Sequence, residues 1–506
     1  MPTWTRSWLT PAAWIAAVAG LLLLLFPVGF PNYDTIYALV WGRELAHGMS
    51  PDMGAALPPT PHPLAELFGL VTTPLGDGAI DATMVIAYVS LGLVGYLVYR
   101  LGSLWFDRPI GAVAALIVLT RAPYLSNGLR AYVDLPYIAL VLGALVLETK
   151  RSRAGWPVLA LLALAGLLRP EAWLFSVAYL AYLALALRKS DAGSLQDESA
   201  ASVAMRRLVQ IRGWELCWRG DRSPHEMAGL MALALAAPLG WGIFDWITAG
   251  SPTYSFTGTR DTVETLERQT GPVDLILYGP RRLGEILQWP GMVGAAGGVV
   301  LGLAFLRRRS TIGVAAGALA LAGFAILACG GLAIIPRYTM LAAAMLAVFA
   351  ALALLGWRLL EHDHPWRRAW QVFAGVVLAM SLAWGPNQYD LLHKVDTDLT
   401  NQSEIESDLT ALADSGAFEP LCGPISVPNH RAVPRLAFLL DIRPSQVVSS
   451  SEQRQPSRGY FLEPASEFVI HNFILDPNDP ARFEVSVPPG FRQVATNNSW
   501  VLYRRC

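Results

Sequence analysis

Long apolar runs recur along most of the chain, and their length decides which folds are open to it. A helix needs about 20 mostly apolar residues to cross the hydrocarbon core of a bilayer, and the first run, at residues 11–30, has that length. It follows Arg6 and lacks a small-residue cleavage site, so we interpret it as a retained span rather than a signal peptide. With 54% hydrophobic residues, 15% charged residues and a mean hydropathy of +0.40, the chain is predicted to be an α-helical polytopic membrane protein.

Further apolar runs continue this pattern and predict about eleven transmembrane helices in total. They lie near residues 79–99, 109–123, 133–147, 155–168, 170–187, 227–247, 287–306, 311–335, 338–357 and 369–386. Lys and Arg accumulate on cytoplasmic loops, so their distribution tests the arrangement. They fall on alternate loops, at Arg100 and Arg108; Lys150, Arg151 and Arg153; Arg188, Lys189, Arg206, Arg207 and Arg212; Arg307, Arg308 and Arg309; and Arg358, Arg367 and Arg368. The alternation predicts a multi-pass cell-membrane protein with a cytoplasmic N-terminus and an extracytoplasmic C-terminal region.

The predicted topology divides the chain into two domains. Residues 1–386 form the transmembrane domain, with a first outward loop at 31–78, a cytoplasmic loop at 188–226 and a second long outward loop at 248–286. Residues 387–506 are rich in acids, Asn and Pro, and they contain alternating segments that predict strands. These segments lie at 467–473, 482–487 and 500–503. We therefore expect a small soluble extracytoplasmic domain of α/β type.

The four cysteines are compatible with this topology. Cys422 and Cys506 fall in the outward domain and are the two that an oxidising compartment would allow to pair, whereas Cys217 is predicted in the cytoplasmic loop and Cys329 within a span. Their pairing stays open at this point, because sequence spacing gives no geometry. In the cytoplasmic loop, the basic segment Met205 to Trp218 predicts a surface helix at the anionic inner leaflet, with a regulatory site as the alternative.

Charge and motifs exclude several classes of function. The formal net charge of −1 and the pI near 6.7 give no basic field for nucleic acid. The sequence has no repeat, P-loop or dinucleotide fingerprint, and no Cys or His spacing typical of a structural metal site. The informative polar residues lie instead at the outer edge of the predicted bilayer, where ionisable groups are costly and tend to mark function. They are Asp34, His62, Asp134, Glu171 and Arg337.

The first outward loop resembles that of the GT-C superfamily of integral membrane glycosyltransferases. The similar features are the membrane-proximal Asp34, the Tyr37-x-x-x-Trp41-Gly42-Arg43-Glu44-Leu45 helix, the Gly48-x-x-Pro51 turn and the Pro58-Pro59-x-Pro61-His62-Pro63-Leu64 exit. Further similar stretches follow in order at Arg169-Pro170-Glu171, Gly250-Ser251-Pro252 and Pro336-Arg337-Tyr338. The resemblance, which extends to protein-mannosyltransferase and aminoarabinose-transferase types, implies a polyprenyl-phosphate-linked sugar donor and an outward C-terminal domain. Many relatives carry a second acid after the loop aspartate, whereas Thr35 follows Asp34 here, so a divalent metal is possible but is not supported by an acidic pair.

The chemistry of such a donor requires only one base. A sugar on a polyprenyl phosphate already has a good leaving group, so its departure does not need the carboxylic acid that glycosidases use. A carboxylate can take the proton of the acceptor hydroxyl while a cation stabilises the charge on the phosphate. Asp34 is the candidate base by its position. The alternative is that Asp34 only caps the helix that begins beside it.

Arg337 is the leading candidate for the phosphate, because it emerges between two predicted spans at headgroup height and arginine offers a planar charged fork. Its alternative role is that of an interfacial arginine that reaches lipid headgroups. Tyr338 lies beside it, and His62 is a candidate contact for a phosphate or a sugar hydroxyl. For Asp134 and Glu171, ion pairs with nearby arginines are favoured over substrate contact. The other candidate cations are Arg130, Arg169, Arg260, Arg281 and Arg282.

These residues together predict an inverting transfer of sugar from a polyprenyl-phosphate donor to a glycan, lipid or protein of the cell envelope. The outward stretch from Ala249 to Leu287 is long enough to act as a lid or to shape a groove for the lipid tail. One competing hypothesis is a transporter or flippase, for which midplane charges and repeats are expected. Another is a non-catalytic membrane scaffold that binds glycans.

Overall fold

Helices dominate the computed structural model, which describes residues 3–189, 207–211, 214–218, 222–475, 483 and 486–506. The helices are α1 Thr3–Leu25, α2 Tyr33–Ala46, α3 Pro63–Thr72, α4 Gly78–Trp105, α5 Arg108–Leu119, α6 Ala122–Leu129, α7 Asp134–Lys150, α8 Trp156–Gly166, α9 Glu171–Ala184, α10 Pro224–Ala249, α11 Tyr254–Thr265, α12 Gly271–Phe305, α13 Arg307–Cys329, α14 Met340–Leu355, α15 Arg367–Ala383, α16 Gly385–Asp414, α17 Val433–Leu439 and α18 Glu467–Val469. The strands are β1 Leu185–Lys189, β2 Arg207–Ile211, β3 Trp214–Trp218, β4 Ile425–Val427, β5 Val447–Ser449, β6 Gly459–Pro464, β7 Arg492–Thr496 and β8 Trp500–Arg505.

Five of the described helical segments are long and apolar enough to cross a membrane: α4, α10, α12, α13 and the stretch Pro336–Leu359 that contains α14. Two bent pairs, α5 with α6 at 62° and α15 with α16 at 46°, raise the count to seven if each pair is one span. The predicted count of about eleven is not confirmed. Two of the expected spans fall on α8 and α9, which have 11 and 14 residues, and at 1.5 Å per residue such helices are shorter than the roughly 30 Å hydrocarbon core. The apolar helices do support a multi-pass membrane protein.

The second outward loop predicted at 248–286 is largely helical. It contains α11 and the first part of α12, which is two helices joined at a kink. Gln288 at the kink has a φ of 61°, outside the helical range, and Pro290 follows it. Because proline has no backbone N–H to donate, it ends the hydrogen-bond ladder of the preceding turn. The part of α12 after the kink agrees with the span predicted at 287–306, whereas residues 271–287, which were predicted as loop, form a helix before the kink.

Helix α14 lies at the centre of the membrane part. Most of its side chains are buried, and a helix that is apolar on every face is typical of such a position. Gly298 of α12 allows one of its close contacts, since a Cβ there would lie 1.9 Å from the carbonyl oxygen of Phe349. At the start of α14, the Tyr124 hydroxyl donates to the carbonyl of Met340 over 2.5 Å. These contacts fix the backbone immediately after Arg337.

The C-terminal tail contains a five-stranded mixed sheet in the order β5-β4-β6-β8-β7. Strand β4 is parallel to β5 and β6, and β8 is antiparallel to β6 and β7. A disulfide joins Cys422 to Cys506. The predicted strand at 500–503 falls within β8, whereas 467–473 is wrong, because it forms α18 and a π-helical turn over Ile470–Ile474. Of the predicted strand at 482–487, residues 483, 486 and 487 are described and form no strand, and the other three lie outside the described residues.

The predicted surface helix over Met205–Trp218 is also wrong for the residues that the structure describes there. Residues 207–211 and 214–218 are β2 and β3, which pair antiparallel, and β3 pairs with β1. Arg207–Ile211 contains the β-branched Val209 and Ile211, which favour a strand over a helix. Residues 205, 206, 212 and 213 lie outside the described part of the chain.

Helix α2 is held between α3 and the C-terminal tail. Gly42 of α2 and Gly69 of α3 bring the two backbones into contact, since a Cβ on Gly69 would lie 2.3 Å from the carbonyl oxygen of Ala38. On another face, Tyr37 and Trp41 belong to the same buried cluster as the β4, β6 and β8 side chains. The helix that carries Asp34 is therefore packed on two sides by segments distant in sequence.

Candidate active site

Asn32, not Asp34, caps α2. The Asn32 side-chain oxygen accepts hydrogen bonds from the backbone N–H groups of Asp34 and Thr35, at 2.8 and 3.3 Å. The Asn32 side chain also donates to the carbonyl of Arg130 over 2.8 Å, which ties the cap to the loop before α7. The capping alternative for Asp34 is therefore wrong, and its carboxylate points elsewhere from the first turn of the helix.

The Asp34 carboxylate forms an ion pair with Arg337. Arg337 Nη1 donates to Asp34 Oδ2 over 3.0 Å, and the Asp34 side chain is 19% exposed and the Arg337 side chain 24% exposed. Arg337 lies in the 3₁₀ turn Pro336–Thr339 that precedes α14. Its guanidinium carbon lies 5.3 Å from the ring centre of Tyr132 and 5.5 Å from that of Tyr338, within cation–π range. The pair is thus partly open to solvent on one side and flanked by aromatic rings.

The charge of this ion pair favours an ionised Asp34. Burial by itself raises the pKa of the Asp34 carboxyl, but the Arg337 guanidinium opposes it more strongly, through charge and a hydrogen bond. His62 and Arg268 add smaller effects of the same sign as Arg337, and the resulting pKa lies below its ordinary value. Asp34 is therefore a carboxylate at neutral pH and can accept a proton.

Arg169 pairs with both of the other predicted acids. Its Nη1 lies 2.6 Å from Asp134 Oδ1, and its Nη2 lies 2.9 Å from Glu171 Oε1. All three side chains are almost fully buried. The Arg169 guanidinium carbon also lies 4.4 Å from the ring centre of Tyr338, the ring that Arg337 contacts from 5.5 Å. Tyr338 therefore lies between two arginines, one paired with Asp34 and one with the Asp134–Glu171 cluster.

His62 and Glu66 lie at the start of α3, in the same predicted outward loop, where Glu66 is buried and His62 is partly buried. Burial lowers the pKa of His62 to about 4, and although Asp34 opposes this, the positive charges of Arg169 and Arg337 contribute to it. His62 is therefore neutral at pH 7. Burial raises the pKa of Glu66 to about 8, so Glu66 is mostly protonated at that pH. Neither His62 Nδ1 nor the Glu66 carboxyl oxygens have a hydrogen-bond partner among the described residues.

Arg130 belongs to a neighbouring contact between the membrane part and the tail. Its Nε and Nη2 donate to the side-chain oxygen of Gln402 over 3.1 and 3.0 Å, and its guanidinium carbon lies 5.7 Å from the ring centre of Phe30. Tyr132, two residues later, contacts Arg337 instead. Arg130 is thus near the pair of Asp34 and Arg337 without being part of it.

The structure brings most of the predicted site residues together but not all of them. Direct contacts link Asp34 to Arg337, Arg337 to Tyr338, and Tyr338 to Arg169 with its two acids. Arg260 is exposed, and its side chain lies against Gly331. Among the alternative cations, Arg281 and Arg282 both pair with Glu285.

Three side chains near the site were not singled out from the sequence. Tyr132 flanks Arg337, Glu66 lies one helical turn after His62, and Arg268 is close enough to lower the pKa of Asp34. Tyr132 stands two residues before Asp134 in the RAYVDLP segment, and this closeness is a signal that could have found it. No such signal marks Arg268 in its polar loop.

In the described part of the chain, no three His, Cys, Asp or Glu side chains are grouped as a metal would require. Thr35 follows Asp34 at the position where the GT-C resemblance leads us to expect a second acid. It is buried, and its hydroxyl donates to the carbonyl of Ala131 over 2.8 Å. An aspartate at this position would direct a charged group at a carbonyl oxygen, so the local packing favours threonine.

No family model matches the chain, and no curated protein sequence matches it. Solved structures do. ArnT from Cupriavidus metallidurans bound to undecaprenyl phosphate has a TM-score of 0.55 at 12% identity, over 98% of each chain. The archaeal oligosaccharyltransferase AglB from Archaeoglobus fulgidus, in complex with an inhibitory peptide and a dolichol-phosphate, has a TM-score of 0.44 at 12% identity, over 89% of this chain and 65% of that one. The chain therefore shares the fold of ArnT, which agrees with the resemblance of its first predicted outward loop to that of GT-C membrane glycosyltransferases.

Proposed function

We propose that the protein transfers a sugar from a polyprenyl-phosphate donor to an acceptor on the extracytoplasmic side, with Asp34 as the general base. The observation that carries the proposal is the ion pair of Asp34 and Arg337 at 3.0 Å, which combines one proton acceptor with one phosphate-binding group. The shared fold with ArnT, which was solved with undecaprenyl phosphate, supports the donor class. The proposal includes the outward orientation of the site and of residues 387–506.

The reaction is a single displacement. The acceptor hydroxyl oxygen attacks the anomeric carbon, the bond from that carbon to the phosphate oxygen breaks, and the polyprenyl phosphate leaves with the electron pair. Asp34 takes the hydroxyl proton as the new bond forms. Because the nucleophile enters opposite the leaving group, the configuration at the anomeric carbon inverts. Arginine stabilises the charge that develops on the departing phosphate.

Arg337 has a double role in this scheme. Without donor, it pairs with Asp34 and keeps the carboxylate ionised. A donor phosphate would compete for the same guanidinium, and phosphate is a strong partner for its planar fork. As Arg337 turns towards the phosphate, the stabilisation of the Asp34 carboxylate weakens, and burial then makes Asp34 a better base. Donor binding would thereby activate the base.

The neighbouring charges are proposed to position the site and not to react. Arg169 already has two buried acids as partners, and a buried arginine in such a cluster is costly to displace. Tyr338 lies between Arg169 and Arg337, so the cluster supports the ring against which the Arg337 guanidinium rests. His62 is neutral and partly buried, and we propose that its free Nδ1 contacts a sugar hydroxyl or a phosphate oxygen.

The test is transfer of radiolabelled sugar from a polyprenyl-phosphate donor by the purified full-length protein. Asp34→Asn should lower the transfer rate by about 10²- to 10⁴-fold, the range for loss of a general base, while donor binding is retained. Asp77→Asn, in the same outward loop, is the matched control and should leave the rate unchanged. Equal rates for the wild type and Asp34→Asn would disprove the base assignment. Donor binding without transfer by the wild type would favour a non-catalytic scaffold.

A further inference from the structure

A basic cavity lies at the end of the membrane part opposite to Asp34, as the alternation of Lys and Arg along the chain orients it. It has a volume of about 620 Å³, and its described lining includes Arg151, Arg153 and Arg222. The arginines come from the turn after α7 and from the residue before the N-cap of α10. Glu226 is the acid in this lining, and it pairs with Arg222. The formal charge of these four groups is +2.

The turn that carries Arg151 and Arg153 is rigidly built. Glu148 accepts hydrogen bonds from the backbone N–H groups of Arg153 and Ala154, at 2.6 and 3.3 Å, and from the Tyr179 hydroxyl at 2.6 Å. Arg153 has a positive φ of 62°, a conformation that such anchoring sustains. Glu148 is thereby bonded within the turn that carries the two arginines.

The three arginines differ in the hydrogen bonds that they already make to other groups of the chain. Arg153 Nη2 donates to the carbonyl of Leu183 over 2.6 Å, and Arg222 Nη2 donates to the carbonyl of Arg153 over 2.7 Å. Arg222 is thereby fixed across the turn, close to Gly155, where a Cβ would lie 3.1 Å from its Nη1. Arg151 is exposed, and among the described residues it has no acid partner. Its guanidinium is available to an anion from outside the chain.

The basic cavity also adjoins a helix N-terminus and a group of exposed apolar side chains. Helix α8 begins at this cavity without a side-chain cap, and its first backbone N–H groups, apart from Pro157, which has none, lack an intrahelical acceptor. Trp156, the first residue of α8, is 68% exposed, and on α10 the apolar Met231 and Leu235 are 48% and 43% exposed. Exposed Trp beside exposed aliphatic side chains is typical of the interface between headgroups and acyl chains. The cavity therefore opens next to a lipid-facing surface.

We propose that this cavity binds the phosphate headgroup of an anionic phospholipid of the inner leaflet, which would thus be a structural lipid of the protein. Basic pockets between transmembrane helices on the cytoplasmic side suit such headgroups. Arg151 and the N-terminus of α8 meet the phosphate, and the acyl chains lie against Met231 and Leu235. A soluble phosphate compound would share the charge contacts but would make no use of the apolar surface.

The test compares lipid binding by the purified full-length protein in a neutral detergent, with native mass spectrometry as the readout. The ligands are phosphatidylglycerol, phosphatidylcholine and inorganic phosphate. Arg151→Gln should weaken phosphatidylglycerol binding about fivefold, the contribution of one arginine near an anionic surface. Gly229→Leu should weaken it comparably without a change in charge, because Gly229 lines the cavity and a Cβ there meets no atom within 4 Å.

Two controls match these variants. Arg308→Gln removes a charge from another exposed arginine on the same predicted side, and Gly375→Leu adds a side chain at an open position of α15. Both should bind phosphatidylglycerol like the wild type. The proposal is overturned if Arg308→Gln loses as much binding as Arg151→Gln, or if Gly229→Leu binds normally. It is also overturned if inorganic phosphate binds as tightly as phosphatidylglycerol, since the ligand would then be a soluble phosphate.

Discussion

Replacing Arg337 by glutamine separates the two roles proposed for it. Glutamine is polar but uncharged and shorter than arginine, so the variant loses the charge that pairs with Asp34 at 3.0 Å. We expect weaker donor binding, because a hydrogen bond to a charged group contributes about 1.5–3 kcal/mol. This corresponds to a rise in the donor dissociation constant of about 10- to 100-fold, at 1.4 kcal/mol for each factor of ten.

The same variant should change the pH dependence of the reaction. In the wild type, Arg337 more than offsets the effect of burial and keeps the pKa of Asp34 below its ordinary value. Without Arg337, burial prevails and the pKa of Asp34 rises. The base is then protonated at higher pH than in the wild type, so the acidic limb of kcat/KM should move to higher pH. Donor binding measured by titration and kcat/KM measured across pH 4–8 report the two effects separately.

Arg260→Gln is the matched control for this prediction. Arg260 was another candidate for the phosphate, but it is exposed and lies against Gly331. Its variant should have the donor affinity and pH profile of the wild type. If Arg337→Gln binds donor normally, or if its acidic limb stays in place, the coupling of phosphate and base through Arg337 is wrong. A larger loss in Arg260→Gln would transfer the phosphate assignment to that residue.

Three further predictions concern the segments that hold the site. Gly69→Ala should destabilise the protein by about 1–3 kcal/mol through overpacking, since its Cβ would lie 2.3 Å from a backbone oxygen of α2. Gly284→Ala, at a position where a Cβ meets no atom, should not destabilise it, and thermal unfolding measures both variants. Burial raises the pKa of Glu66 from 4.5 to about 8, so between these pH values the folded state holds a proton that the unfolded state has lost. As pH rises through this range, the wild type should therefore lose stability relative to Glu66→Gln. Unfolding midpoints of the two proteins that run parallel across pH 4–9 would contradict this. Cys422→Ser opens a disulfide between residues 84 positions apart and should cost about 2–5 kcal/mol, an effect that a reductant should reproduce in the wild type only.

The local motifs selected residues that the structure brings together, but they did not specify the contacts between them. Asp34 and Arg337 were both selected because they lie at the outer ends of apolar runs, where charged groups are costly. Their contact spans 303 positions in the sequence, and nothing in either segment specifies it. It depends on how α14 packs against the helices around it, including the bond from Tyr124 to the Met340 carbonyl. Hydropathy places residues at a depth in the membrane, but it does not place them beside one another.

The errors in the predicted fold have a common physical origin. Hydropathy locates apolar segments, but it does not distinguish a full span from a short buried helix such as α8, which has 11 residues. Likewise, residues 271–287 carry enough polar residues to be predicted as a loop, although they form a helix on the N-terminal side of the kink at Gln288. In the segment predicted to be cytoplasmic, the sequence of β2 and β3 was compatible with two kinds of secondary structure, and pairing between strands decided the outcome.

The presence of threonine after Asp34, where a second acid was expected, is explained by the same packing that positions Asp34. Thr35 is buried, and its hydroxyl is bonded to the Ala131 carbonyl, while Asn32 bonds to the carbonyl of Arg130 next to it. The first turn of α2 is thereby anchored to the segment that continues into Tyr132, which in turn flanks Arg337. In the proposed reaction a single acid suffices, because Arg337 would supply the positive charge that a metal would otherwise bring to a phosphate. Thr35 can then anchor the first turn of α2 through its hydrogen bond to the Ala131 carbonyl.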